Sequence, residues 1–103
     1  MLTLLMSKKE IFNILNSTSE NIKDNVGTVL KIVHLAIVKT ESYNVVHFIT
    51  EDKKHYASIA KAVNDAARIL LDAGFEPSEN EPVEIVFVER EYAEGTYITF
   101  EMV

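Results

Sequence analysis

A run of β-branched and aliphatic residues at positions 28–40 is the feature that most restricts how this chain can fold. Only Lys31, His34 and Lys39 interrupt the run. It is too long, and too apolar on both sides, for a simple alternating edge strand. We therefore predict one long, bent strand that contributes to two parts of a sheet.

Four further strands are predicted from shorter runs of similar character. They cover residues 43–50, 55–57, 82–89 and 96–103. Two helices accompany these strands. Ser7 and Glu10 match a capping box at the start of the first helix, and Ser58 is a candidate N-cap for the second. Gly74 then marks the end of the second helix.

The resulting order is helix, three strands, helix, two strands. Five strands with a helix between the third and the fourth predict a small barrel of the OB type, in a mainly β, α+β fold with an additional N-terminal helix. A different α+β sheet stays open, because element order does not determine which strands pair. The 103 residues suit a single domain. We divide it into an N-terminal helical segment, residues 1–25, and an OB-like barrel, residues 26–103.

The chain contains no cysteine and none of the common enzyme motifs. The lack of thiols excludes disulfides, cysteine nucleophiles and thiolate zinc sites, and it suits a reducing cytosol. His34, His47 and His55 are isolated strand residues without the spacing of a metal site. We therefore predict a cytoplasmic protein that is not an enzyme and has no metal or cofactor. No apolar run approaches the ~20 residues of a membrane span, so no membrane association is expected.

The net charge of −6 is unevenly distributed along the chain. Residues 1–71 carry nine Lys/Arg and seven Asp/Glu residues, whereas residues 72–103 carry one arginine and nine acidic residues. Tight non-specific binding to duplex DNA depends on many contacts between cations and phosphates. The charge balance argues against such binding, and any nucleic-acid surface must be local.

An aromatic face is the main candidate for that surface. If the strands at 43–50 and 55–57 pair with Thr50 opposite His55, one face carries two tyrosines, a histidine and a lysine. Such a face can stack unpaired bases and bind phosphate. The predicted contact residues are Tyr43, His47, Lys54 and Tyr56, with Lys31 and Lys39 of the long strand as phosphate contacts. If this face is instead the core side, the ligand face carries Asn44, Thr50 and His55.

The loop between the last two strands is a second candidate. In an OB barrel this loop flanks the ligand groove, so Tyr92 and Arg90 could close over a nucleic-acid strand, with Tyr97 on the strand that follows. An ordinary polar hairpin tip with one exposed tyrosine explains the loop equally well. Phosphate would also be repelled by three glutamates in the same region, Glu89, Glu91 and Glu94.

Three segments carry a family resemblance: residues 21–27 (NIKDNVG), 46–58 (VHFITEDKKHYAS) and 95–100 (GTYITF). In spacing and residue type, residues 19–103 resemble small single-stranded DNA-binding proteins of bacteriophages that infect Gram-positive bacteria. The resemblance implies an OB fold, coating of unwound DNA during phage replication or recombination, and no cofactor. Tyr56 and Tyr97 match the family pattern. The chain departs from it at Asp52 and Lys53, where members tend to have Asp-Gly, and in its acidic last loop.

Together these observations predict a sequence-independent single-stranded DNA-binding protein that acts by base stacking and local phosphate contacts. Other replication or recombination proteins and a second copy of the chain are further candidate partners. The alternative is an acidic protein-interaction module, which would bind a host protein or mimic a polyanion. Its docking face would carry the glutamates of the last third of the chain, Glu79, Glu81, Glu84, Glu89, Glu91 and Glu94.

Overall fold

The computed structural model describes residues 6–103, which form a five-stranded antiparallel sheet with two α-helices. The elements in chain order are α1 (Lys8–Leu15), a 3-10 turn (Lys23–Asn25), β1 (Val29–Lys39), β2 (Asn44–Thr50), β3 (His55–Ser58), α2 (Lys61–Asp72), β4 (Val83–Tyr92) and β5 (Gly95–Met102). The predicted fold class is confirmed, because the fold is mainly β and the second helix lies between β3 and β4.

The long strand β1 lies at the centre of the sheet, in the order β3-β2-β1-β4-β5. Its first part, Val29 to Ile32, pairs with β4, and its second part, Ile32 to Lys39, pairs with β2. The register is irregular between Ile32 and His34, close to the point where the pairing of β1 changes from β4 to β2. A bulge of this kind bends a strand. The prediction of one long strand that serves two parts of the sheet is therefore confirmed.

The sheet curls into an OB-like half-barrel, with β3 and β5 as its two end strands. The four-residue strand β3 is met at its outer edge by the preceding chain instead of by β5. Glu20 forms a parallel bridge to Tyr56, and its N–H donates to the His55 carbonyl at 2.6 Å. A groove is left between this edge and β5.

The hydrophobic core lies inside the curl, beneath α2. Val63, Ala67 and Leu70 recur on α2 at the spacing of one helical face, and they pack into the core formed by the strands. Phe48 and Phe87 meet edge to face with their ring centroids 5.4 Å apart. Burying side chains of this size stabilises the fold by about 1.5–3 kcal/mol each.

The two helices begin differently, and only the first begins where predicted. The Ser7 hydroxyl accepts from the Glu10 N–H at 3.1 Å, which caps α1. The Glu10 carboxylate extends to Lys53, 2.6 Å away. Ser58 is not the N-cap of α2, because it belongs to β3 and its hydroxyl accepts from the Ala60 N–H, so the helix begins after Ala60.

The predicted register of β2 and β3 is wrong by one residue. His55 lies opposite Ile49, so Thr50 is not its partner, and Tyr56 lies opposite Phe48. The connecting loop is one residue shorter than expected, because the Thr50 N–H donates to the Lys54 carbonyl at 2.9 Å. Such a loop suits a residue in the left-handed conformation, which Lys53 adopts with φ 66°. No glycine in the sequence marks this turn.

Candidate nucleic-acid interface

The one-residue shift moves Tyr56 from the expected ligand face into the core. Its side chain is only 1% exposed and lies on the same face as Phe48. Burial also raises the pKa of its phenol, with smaller contributions from Glu20 and Asp52. A ring in this position cannot stack on a base, so the predicted platform is not formed.

The other members of that platform lie apart from one another. Tyr43 is exposed in the turn between β1 and β2, where its carbonyl accepts from the Thr40 N–H at 2.8 Å. His47 is half-buried on the outer face of the sheet, and exposed Lys54 lies 3.8 Å from Asp52. The alternative ligand face, Asn44, Thr50 and His55, is not available to a ligand either, because Thr50 and His55 are buried.

Lys31 is exposed near the start of β1, and Lys39 is exposed at its end. The eight steps between them span at most about 26 Å of extended chain. Lys31 is 3.5 Å from Glu51 in an ion pair. Nothing in the structure tests the role of the two lysines as phosphate contacts, which stays a prediction.

Tyr92 and Tyr97 are brought together in the groove between β3 and β5, which we call the β3–β5 groove. Their rings are 53% and 41% exposed, with centroids 5.7 Å apart and planes at 62°. The groove has a volume of about 1440 Å³. Its walls come from residues 20–23, the end of β3, the start of α2, and both strands of the last hairpin. Planar groups such as unpaired nucleic-acid bases can therefore reach these two rings from solvent.

The charges that line the groove nearly cancel. Its cations are Lys23 and Lys61, and its acids are Glu20, Asp65 and Glu89. Lys61 lies 3.4 Å from Asp65, one helical turn away. Electrostatic attraction of phosphate is consequently weak here, so aromatic and apolar contacts must supply most of the binding free energy.

Arg90 lies directly opposite Tyr97 in the β4–β5 ladder, but it is not among the residues that line the groove. Its guanidinium forms an ion pair with Glu101, which lies on the same strand as Tyr97. An apolar residue that the sequence analysis did not single out, Ile59, is exposed on the groove wall directly after β3. An isoleucine between a strand and a helix cap is a weak signal, because the same pattern is typical of a core residue.

The three histidines lie on the outer face of the sheet, away from the groove lining. His47 Nδ1 and His55 Nε2 are 2.8 Å apart, and the ring planes are within 17° of parallel. Burial lowers the pKa of His47, and His55 and His34 lower it further. Burial also lowers the pKa of His34, against an opposing effect of Glu76. Residues 6–103 contain no cluster of three or more side chains suited to a metal ion.

The chain matches no protein-family model, no curated protein and no solved structure. Within residues 6–103, no helix has the length and apolar character needed to cross a membrane. A ligand for the β3–β5 groove must therefore be inferred from the exposed side chains and charges that line it.

Proposed function

We propose that this protein binds single-stranded DNA without sequence preference, with unpaired bases stacked on Tyr92 and Tyr97 in the β3–β5 groove. The observation that carries the proposal is this pair of exposed rings, 5.7 Å apart, on the wall of a groove in an OB-like half-barrel. OB folds bind oligonucleotides in this manner, by stacking bases on aromatic side chains.

Stacking dominates the expected binding free energy. Each base stacked on a tyrosine contributes about 1–3 kcal/mol, and it does so for every base type. Lys23 and Lys61 supply two cations, which the nearby acids partly offset. With about two phosphate contacts, the logarithm of affinity should fall against the logarithm of salt concentration with a slope of about −1.4. Duplex DNA should bind far less, since its bases are stacked on one another.

Fluorescence anisotropy of a labelled single strand of ~20–30 nucleotides tests the proposal, with the matching duplex as a control. Tyr92→Ala and Tyr97→Ala should each weaken single-strand binding by roughly fivefold to 150-fold. The matched control is Phe12→Ala, which removes an aromatic ring that is 65% exposed on α1. The proposal is wrong if the single strand does not bind at low salt, or if all three variants bind equally well.

The biological role we propose is coating of unwound DNA during phage replication or recombination, in the host cytoplasm. The resemblance of residues 19–103 to phage single-stranded DNA-binding proteins supports this role. Contacts with other replication proteins or with a second copy of the chain belong to the same proposal. The groove walls include residues of the end strand β5, and the edges of such strands are common sites of pairing between subunits.

The acidic hairpin favours a second candidate, a docking module for a basic protein. Glu91 and Glu94 are exposed beside Tyr92, and Glu89 lines the groove. The double variant Glu91→Lys, Glu94→Lys separates the two candidates. It should tighten binding of single-stranded DNA, whereas it should abolish binding of a basic partner.

A further inference from the structure

A pair of histidines contributes to the attachment of the N-terminal arm, which we define as residues 7–20, to the sheet. His55 Nδ1 lies 3.2 Å from the Ser17 carbonyl oxygen, and His55 Nε2 lies 2.8 Å from His47 Nδ1. The Glu20 N–H donates to the His55 carbonyl at 2.6 Å. His55 therefore joins the arm to β3 through both its ring and its main chain.

The direction of these hydrogen bonds follows from the acceptor at one end. A carbonyl oxygen only accepts, so His55 donates from Nδ1 to Ser17. Its Nε2 then accepts from the Nδ1–H of His47. A proton added to Nε2 of His47 leaves both bonds intact. A second proton, on His55, would place two N–H groups face to face across 2.8 Å with no acceptor between them.

The surroundings offer little compensation for a second positive charge. Burial, His55 and His34 all disfavour protonation of His47. No carboxylate contributes to the pKa of His47. Among the nearby charged groups, Glu10 pairs with Lys53, Lys54 pairs with Asp52, and Glu79 accepts from the Met6 N–H. Glu76 raises the pKa of His34 and Glu20 raises that of Tyr56, but neither acts on His47.

We propose that the His47–His55 pair is an acid-sensitive latch, which holds the N-terminal arm on the sheet near neutral pH and releases it when both rings become protonated. Release would uncover the outer edge of β3 and free Glu20, which lines the β3–β5 groove. The latch does not depend on what that groove binds. The docked pair has room for only one added proton, because its hydrogen bond needs one unprotonated nitrogen between the rings, so docking should weaken as the pH falls from 7 to 5.

Hydrogen exchange followed by mass spectrometry tests the latch in the full chain at pH 7 and pH 5. Exchange rates are corrected for the intrinsic effect of pH, and peptides from residues 7–20 are compared with peptides from β5. Protection of the arm should fall at least about tenfold further than protection of β5. Equal changes in the two regions, or a constant protection of the arm, would overturn the proposal.

Two variants identify the groups responsible. Gln in place of His47 can turn its amide to donate or to accept, so His47→Gln should make protection of the arm independent of pH. His34→Gln is the comparison variant, because His34 shares the outer face but not the hydrogen bonds, and protection of the arm should still depend on pH in this variant. A persistent response in His47→Gln refutes the latch. If that variant does not fold, the wild-type comparison decides by itself.

Discussion

The ring of Tyr56 lies with its centroid 6.1 Å from that of Phe87, inside the curl of the sheet. Tyr56 belongs to β3 and Phe87 to β4, two strands that do not pair with each other. Contact between aromatic side chains therefore joins two strands on opposite sides of the curl that no backbone ladder connects. Such pairs contribute about 0.5–1.5 kcal/mol beyond the burial of their surfaces.

Removing this ring should destabilise the protein. Tyr56→Ala should lower the free energy of unfolding by about 3–5 kcal/mol, as for other large aromatic residues in cores. Tyr56→Phe keeps the ring and should cost at most about 1.5 kcal/mol. Urea unfolding measures both. A stable Tyr56→Ala variant that loses only DNA affinity would contradict the assignment of Tyr56 to the core.

The turn between β2 and β3 contains a residue that glycine should improve. Lys53 has φ 66°, a left-handed conformation that costs most side chains about 1–2 kcal/mol. Its ion pair with Glu10 is exposed and offsets little of this cost. Lys53→Gly should therefore raise the midpoint of urea unfolding, with a gain of about 0.5–1 kcal/mol. Lys54→Gly is the control at a residue without positive φ, and it should lower the midpoint.

Stability should decline on mild acidification. The pKa values of His34 and His47 lie below the ordinary histidine value, chiefly because of burial. Just below that value of about 6.5, the unfolded chain binds more protons than the folded chain. The stabilisation is complete above it and is lost as the pH falls from 7 to 5. Urea midpoints at the two pH values measure the loss, and His34→Gln should reduce it. Equal midpoints for the wild type would contradict this linkage.

A buried amide links α2 to the sheet. Asn64 is 7% exposed, and its Nδ2 donates to the carbonyls of Asn44 at 3.2 Å and Ala60 at 3.0 Å. Asn64→Ala leaves the Asn44 carbonyl without this donor and should cost about 1–3 kcal/mol in urea unfolding. Asp65→Ala changes an exposed neighbour on the same helix and should stay within about 0.5 kcal/mol of the wild type. Similar losses in both variants would argue against a specific role for the buried amide.

Features with signals inside a few residues of chain were predictable from the sequence. The Ser7 cap of α1 and the glycine after α2, Gly74 with φ +88°, follow from local hydrogen bonding and backbone freedom. The length and composition of β1 indicated that it serves two parts of the sheet. With the position of α2 between β3 and β4, these features were enough to identify the OB-like class.

The candidate site depended on contacts between distant segments. Alternation along β2 and β3 shows which residues share a face, but the loop conformation at Lys53 decides how the two strands align. One residue of shift buried Tyr56 and brought His55 beside His47. The sequence by itself thus determined the elements and their order. Only the tertiary structure decided which aromatic rings meet solvent, because burial depends on strand register and on packing of chain segments far apart in sequence.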